Sequence, residues 1–159
     1  LNQNNGQQLC IQKAYKKMWD TIQGNVLADL KEIRKQTNLK KIYITGISLG
    51  GGLSVISYVD VLNSKIFDQV EVINYGAPRV ANKYYADYFD GLTQRRSKRY
   101  IVKGDPIVVL PECLTLLCNY KHVGNQFVCI EDDGICRGGL PVPQGVIREM
   151  IWRRNADQS

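Results

Sequence analysis

The sequence predicts an α/β fold: a small, mostly parallel sheet with flanking helices and a short hairpin near the C-terminus. Two observations predict it. Helix-like and strand-like patterns alternate three times along the chain, with Gly- or Pro-containing turns between them. The 159 residues also suit one domain, and at roughly 30 residues per β-α-β repeat they hold about four or five strands.

The first element is a long amphipathic helix. From Ile11 the apolar residues Tyr15, Met18, Ile22, Val26, Leu30 and Ile33 follow at steps of three or four, with Gly24 tolerated inside. A β-rich run, Lys41 to Thr45, comes next, then glycines, then an apolar helix from about Gly51 to Leu62. A second strand reads Val70 to Tyr75 and is broken by Gly76 and Pro78. A third helix is expected over Asn82 to Phe89, with Gly91 as its C-terminal stop. Arg99 to Lys103 reads as the third strand, ended by Gly104-Asp105-Pro106. The longest apolar run, Ile107 to Leu110, is strand-sized, and Val146 to Arg154 reads as a short basic helix. Residues 1–8 are expected to be a disordered polar N-terminus, 9–138 the core, and 139–159 a divergent tail.

Composition excludes several classes. Hydrophobic residues at 44% and charged residues at 23% are close to the globular average, which argues against whole-chain disorder. No run approaches eighteen apolar residues, so no transmembrane segment is expected. The net charge of +6 permits attraction to anions without arguing for nucleic acid, and no nucleic-acid partner is predicted. Arg95-Arg96-Ser97-Lys98-Arg99 lacks interleaved aromatics and reads as a solvated loop. The chain starts at Leu1 with no signal-peptide pattern, so either a leader has been removed or the sequence starts within a longer protein.

Four of the five cysteines crowd into residues 113–136. Their spacing lacks Cys-x-x-Cys pairs, and a lone His122 adds little to a zinc reading, so no metal is expected. Cys129 and Cys136 flank Glu131-Asp132-Asp133-Gly134, a polar turn that would close a hairpin. Directly opposed strand residues lie at about disulfide distance, so a Cys129–Cys136 bridge is expected, and with it an oxidising, secreted or lumenal compartment. Cys113 and Cys118 are candidates for a second small loop.

The motif that carries chemistry is Gly46-Ile47-Ser48-Leu49-Gly50, placed between a strand and a helix. A plain glycine-rich β-α turn reads the same way. The strand–turn–helix context, however, is what a nucleophile elbow requires: Gly46 and Gly50 allow close approach while Ser48 takes a strained conformation above the sheet edge. The Leu49 amide, at the start of the following helix, would then face a developing oxyanion. No phosphate-loop pattern is present.

Four blocks extend this motif in order. They are Tyr43-Ile44-Thr45-Gly46-Ile47-Ser48-Leu49-Gly50-Gly51-Gly52-Leu53-Ser54, Asn74-Tyr75-Gly76-Ala77-Pro78-Arg79-Val80-Ala81-Asn82, Gly104-Asp105-Pro106-Ile107-Val108-Val109-Leu110-Pro111, and Tyr120-Lys121-His122-Val123-Gly124. Together they resemble the class 3 (fungal-type) lipase family of α/β-hydrolases, over roughly residues 11–136. The resemblance implies a partial α/β-hydrolase fold, incomplete at both ends, and a serine ester hydrolase that cleaves carboxylic esters of lipids through an acyl-enzyme. It implies no cofactor, a lipid or other ester as substrate, and possible contact with a lipid interface. The alternative is a catalytically incomplete or non-catalytic lipid-binding member of the same family.

Residue by residue, Ser48 matches the family's nucleophile and Asp105 the acid that orients the catalytic histidine. The chain order Ser then Asp agrees with α/β-hydrolases, although a turn aspartate before proline would look the same. His122 is the sole histidine, so an intact triad within this chain must use it. In family members with this layout the histidine of the fourth block is usually not the base, so a structural place beside the sheet stands as the other reading. Ile47, Ala81 and Val109 depart from the family's residues at their positions. No FRGT-like turn, the source of a second oxyanion donor, precedes Ile11; loss of one such donor is worth about 2.7–4 kcal/mol.

Overall fold

The computed structural model describes residues 8–94, 96–111, 120–129 and 136–138. The elements run α1 (Lys13–Gln36), β1 (Lys41–Ile47), α2 (Leu49–Asn63), β2 (Gln69–Tyr75), β3 (Ala81–Asn82), α3 (Lys83–Thr93), β4 (Lys98–Val102), a 3-10 turn (Ile107–Val109), β5 (Tyr120–Lys121), β6 (Asn125–Cys129) and β7 (Cys136–Gly138). The main sheet has five strands in the order β1-β2-β4-β6-β7, and β3 pairs with β5 in a separate ribbon. β1, β2, β4 and β6 are parallel, while β7 is antiparallel to β6. This is the α/β architecture that the alternating pattern predicts.

The strand order explains where the helices sit. Each parallel step moves the chain one way across the sheet, and right-handed crossovers moving one way place their helices on one face. Residues of α1, α2 and α3 accordingly share one core with Val70 and Val72 of β2 and the inward side of β1, Ile42 and Ile44. On the other face Tyr43, Ile47, Tyr75 and Val102 stay exposed, and Tyr75, Tyr100 and Phe127 stack across three strands with ring centroids 5.4 and 5.0 Å apart.

Most elements fall where periodicity puts them, and the differences have physical causes. In α1 only Tyr15 and Trp19 are buried; Ile22 and Ile33 remain exposed, because only its N-terminal turns lie deep against α2. Trp19 fixes that contact by donating its indole N–H to Asp60 at 2.6 Å. α3 is capped by Asn82, whose side chain accepts from the Tyr85 amide at 3.0 Å. It does not stop at Gly91 but runs to Thr93 and ends on Gln94 in the left-handed conformation. The apolar run Ile107–Leu110 is not a strand: after Pro106 it tightens into the 3-10 turn with Val108 buried.

The basic run is also corrected. Lys98 and Arg99 belong to β4, Ser97 and Arg99 are buried, and only Arg96 and Lys98 are exposed among its described members. Arg99 lies between Asn74 and Gln126 in the strand register and donates to the Gln126 side chain. At the far edge, β6 and β7 set Cys129 directly opposite Cys136, the register expected for the hairpin. The N-terminal residues 1–7, Cys113, Cys118, the turn residues 130–135 and the expected helix Val146–Arg154 lie outside the described residues.

Candidate active site

Ser48 sits between the last residue of β1 and the first of α2, at φ 52° and ψ −119°. A serine in the N-cap position ordinarily spends its oxygen on an amide of the first helical turn. Here no such bond forms, and Ser48 is exposed. Its own amide extends the β1–β2 ladder by one step, donating to the Tyr75 carbonyl at 2.9 Å, while its carbonyl accepts from Gly52 at 3.1 Å. The backbone is therefore held on both sides while the side chain is left unused. Leu49 opens α2, so its N–H has no intrahelical acceptor and lies at the positive end of the helix.

Glycines make this bend possible, though not the pair expected. A β-carbon on Gly46 would fall 2.1 Å from the Gly50 carbonyl oxygen. One on Gly51 would meet Ala77 at 2.8 Å, and one on Gly52 would meet Tyr15 at 2.4 Å. A β-carbon on Gly50 would meet nothing within 4 Å. The close approach of β1 and α2 thus rests on Gly46, while Gly51 and Gly52 let α2 pack against Ala77 and against Tyr15 of α1, and Gly50 contributes only its backbone.

Asp105 follows β4, two strands from β1, at the same carboxyl rim of the sheet. Its amide donates to the Val102 carbonyl at 3.2 Å, and its Oδ1 accepts from the Ile107 amide at 2.8 Å. Its Oδ2 lies 3.0 Å from where a β-carbon of Gly76 would stand. Gly76, at φ 56°, is the residue after Tyr75, to which Ser48 is bonded. The end of β2 therefore separates Ser48 from Asp105, with one on each side.

His122 is tied to the 3-10 turn that follows Asp105. Its Nε2 hydrogen bonds to the Val108 carbonyl at 2.6 Å, which requires that nitrogen to carry the proton. It precedes β6, which begins at Asn125. Burial, followed by the nearby Arg99 and Arg79, holds its pKa well below the ordinary value of 6.5, so the ring is neutral. Burial and Arg79 also push Arg99 down to about 9.

Sequence reading missed Arg79, whose only signal was its place in the second block. Its amide donates to the Leu110 carbonyl at 2.8 Å, and its Nη1 donates to Val109 at 2.7 Å and Pro111 at 2.9 Å. Missed too was the exposure of the apolar side chains at the rim: Ile47, Leu49, Tyr75, Val102, Ile107 and Leu110. No group of three metal-ligating side chains occurs, and no helix is long and apolar enough to cross a membrane, among the described residues.

Known proteins of the same build carry the comparison further. Solved structures share the fold: the lipase of Rhizopus microsporus var. chinensis superposes with a TM-score of 0.76 at 18% identity, covering 94% of this chain and 54% of that one. Rhizomucor miehei triacylglyceride lipase gives 0.70 at 20% identity, covering 81% and 48%. Among relatives, secreted mono- and diacylglycerol lipase A of Penicillium cyclopium is 27% identical over 109 residues, covering 69% of this chain and 34% of that protein. Secreted mono- and diacylglycerol lipase 1 of Fusarium solani is 24% identical over 135 residues, covering 79% and 38%. This chain spans little more than a third of the length of such relatives. The model of the family described as lipase (class 3) matches residues 2–115, and the chain belongs to that family.

Proposed function

We propose that this chain carries the nucleophile and acid of a serine ester hydrolase acting on lipid esters. In this reading Ser48 attacks the acyl carbonyl, the Leu49 amide donates to the oxyanion, and Asp105 orients the histidine that passes the serine proton to the departing alcohol as the ester C–O bond breaks. Water then releases the acid. The observation that carries the reading is the Ser48 backbone: a non-glycine residue at φ 52°, with its hydroxyl outside any cap bond. The exposed apolar rim around it suits an acyl chain or a lipid surface, and the relatives named as mono- and diacylglycerol lipases favour glycerides as the esters. Cys129 and Cys136, in register, are proposed to form a bridge in a secreted protein, in keeping with the relatives' names.

His122 is proposed as a support for the acid's loop, not as the base, because its Nε2 is already committed to Val108. A complete relay needs an imidazole beside Ser48 that His122 does not supply while it holds that bond. This favours a second reading, a member that keeps the elbow and the acid without turnover. Hydrolysis of 4-nitrophenyl butyrate separates the two: the first reading predicts a rate above that of Ser48→Ala, the second predicts equality.

A further inference from the structure

Four consecutive carbonyls after the candidate acid all face the same two residues. Val108 accepts from His122, while Val109, Leu110 and Pro111 accept from Arg79. Arg79 is itself braced from α1: Gln12 donates through Nε2 to the Arg79 carbonyl at 2.7 Å, and through its amide to Val80 at 2.8 Å. From here the connection to Asp105 is short. The carbonyls belong to the 3-10 turn and the residues that leave it, and the first amide of that turn, Ile107, is the donor to Asp105 Oδ1.

We infer that Arg79 and His122 form a clamp that positions the Asp105 carboxylate, by fastening the 3-10 turn whose leading amide holds it. Neither residue touches the reacting atoms, so both are positioning residues. The inference rests on Asp105 being the acid of the proposed hydrolase. The clamp is matched to its load: carbonyls accept only, the guanidinium donates only, and the neutral imidazole has one N–H to give. Val108 is buried beneath the turn, so its carbonyl has little water to replace a lost donor.

Amide hydrogen exchange and imidazole nitrogen shifts, measured by NMR on the 159-residue chain, test it. His122→Ala is expected to speed exchange of the Ile107 amide about tenfold while Val72 in β2 keeps its protection. His122→Gln, whose amide can donate at similar reach, is expected to restore most of that protection, as is Arg79→Lys relative to Arg79→Ala. The His122 ring is expected as the Nε2–H tautomer. An Nδ1–H tautomer, an Ile107 amide indifferent to His122→Ala, or a glutamine variant no better than alanine would each overturn the clamp. A wild-type chain that hydrolyses no ester would remove the proposed function and leave this exchange pattern in place, so the two fail separately.

Discussion

The strained serine offers a prediction about stability that needs no substrate. Ser48 holds φ 52° and ψ −119°, a backbone region that costs a non-glycine residue about 1–3 kcal/mol. Ser48→Gly removes that cost and adds about 0.5–1 kcal/mol of chain entropy on folding, whereas Ser48→Ala keeps the β-carbon and with it the strain. The hydroxyl makes no cap hydrogen bond, so its deletion alone is close to neutral. Glycine should therefore exceed alanine by about 1 kcal/mol, which for a chain of this length is about 2–4 °C in Tm. Urea unfolding with equal m-values for the two variants, supported by calorimetry, reads this difference directly. A glycine variant no more stable than alanine would mean that position 48 is relaxed, and the elbow argument would fail.

The two motif glycines should part company: Gly46→Ala should lose about 3 kcal/mol or more, because its β-carbon meets the Gly50 backbone, while Gly50→Ala should gain about 0.5 kcal/mol, both read from urea midpoints. Because the folded His122 pKa is depressed, its contribution is present above about 6.5 and is lost as pH falls through that value, where the unfolded ring takes up a proton. Between pH 7 and pH 5 the wild type should thus lose on the order of 1–2 kcal/mol more than His122→Gln, in denaturation midpoints at the two pH values. Peptide mapping without reductant should recover Cys129 linked to Cys136, and Cys136→Ser should cost about 2.5 kcal/mol by the closure entropy of so short a loop.

Much of the fold was legible because hydrophobic period and punctuation coincide. Steps of three and four fixed α1, a continuous apolar stretch after the glycines fixed α2, and short β-rich runs ending in glycine fixed β1 and β2. Sequence failed where tertiary packing overrules local preference. Gly91 has the right residue type for a helix stop, yet the bonds from the Gln94 amide to Asp90 and Gly91 carry the helix past it. The run Ile107–Leu110 has strand composition, but four of its carbonyls and neighbours are taken by Arg79 and His122, so it turns instead. Arg99 looks solvated in a basic run, and only the register reveals Gln126 beside it. At the site, the motif pointed to Ser48 and Leu49, and the resemblance in the third block pointed to Asp105. No spacing rule distinguishes Gly50, with open space around it, from Gly46, with none.

Reaction of the folded chain with an alkyl fluorophosphonate, followed by peptide mass spectrometry, measures whether a lone hydroxyl at the sheet's rim behaves as an acyl acceptor. A phosphonyl group on the peptide containing Ser48, slow to form in the absence of an adjacent imidazole, missing from Ser48→Ala and prevented by prior unfolding, is the expected result. A folded chain that leaves Ser48 unmodified even after prolonged incubation with excess reagent would contradict the assignment of that residue as a nucleophile.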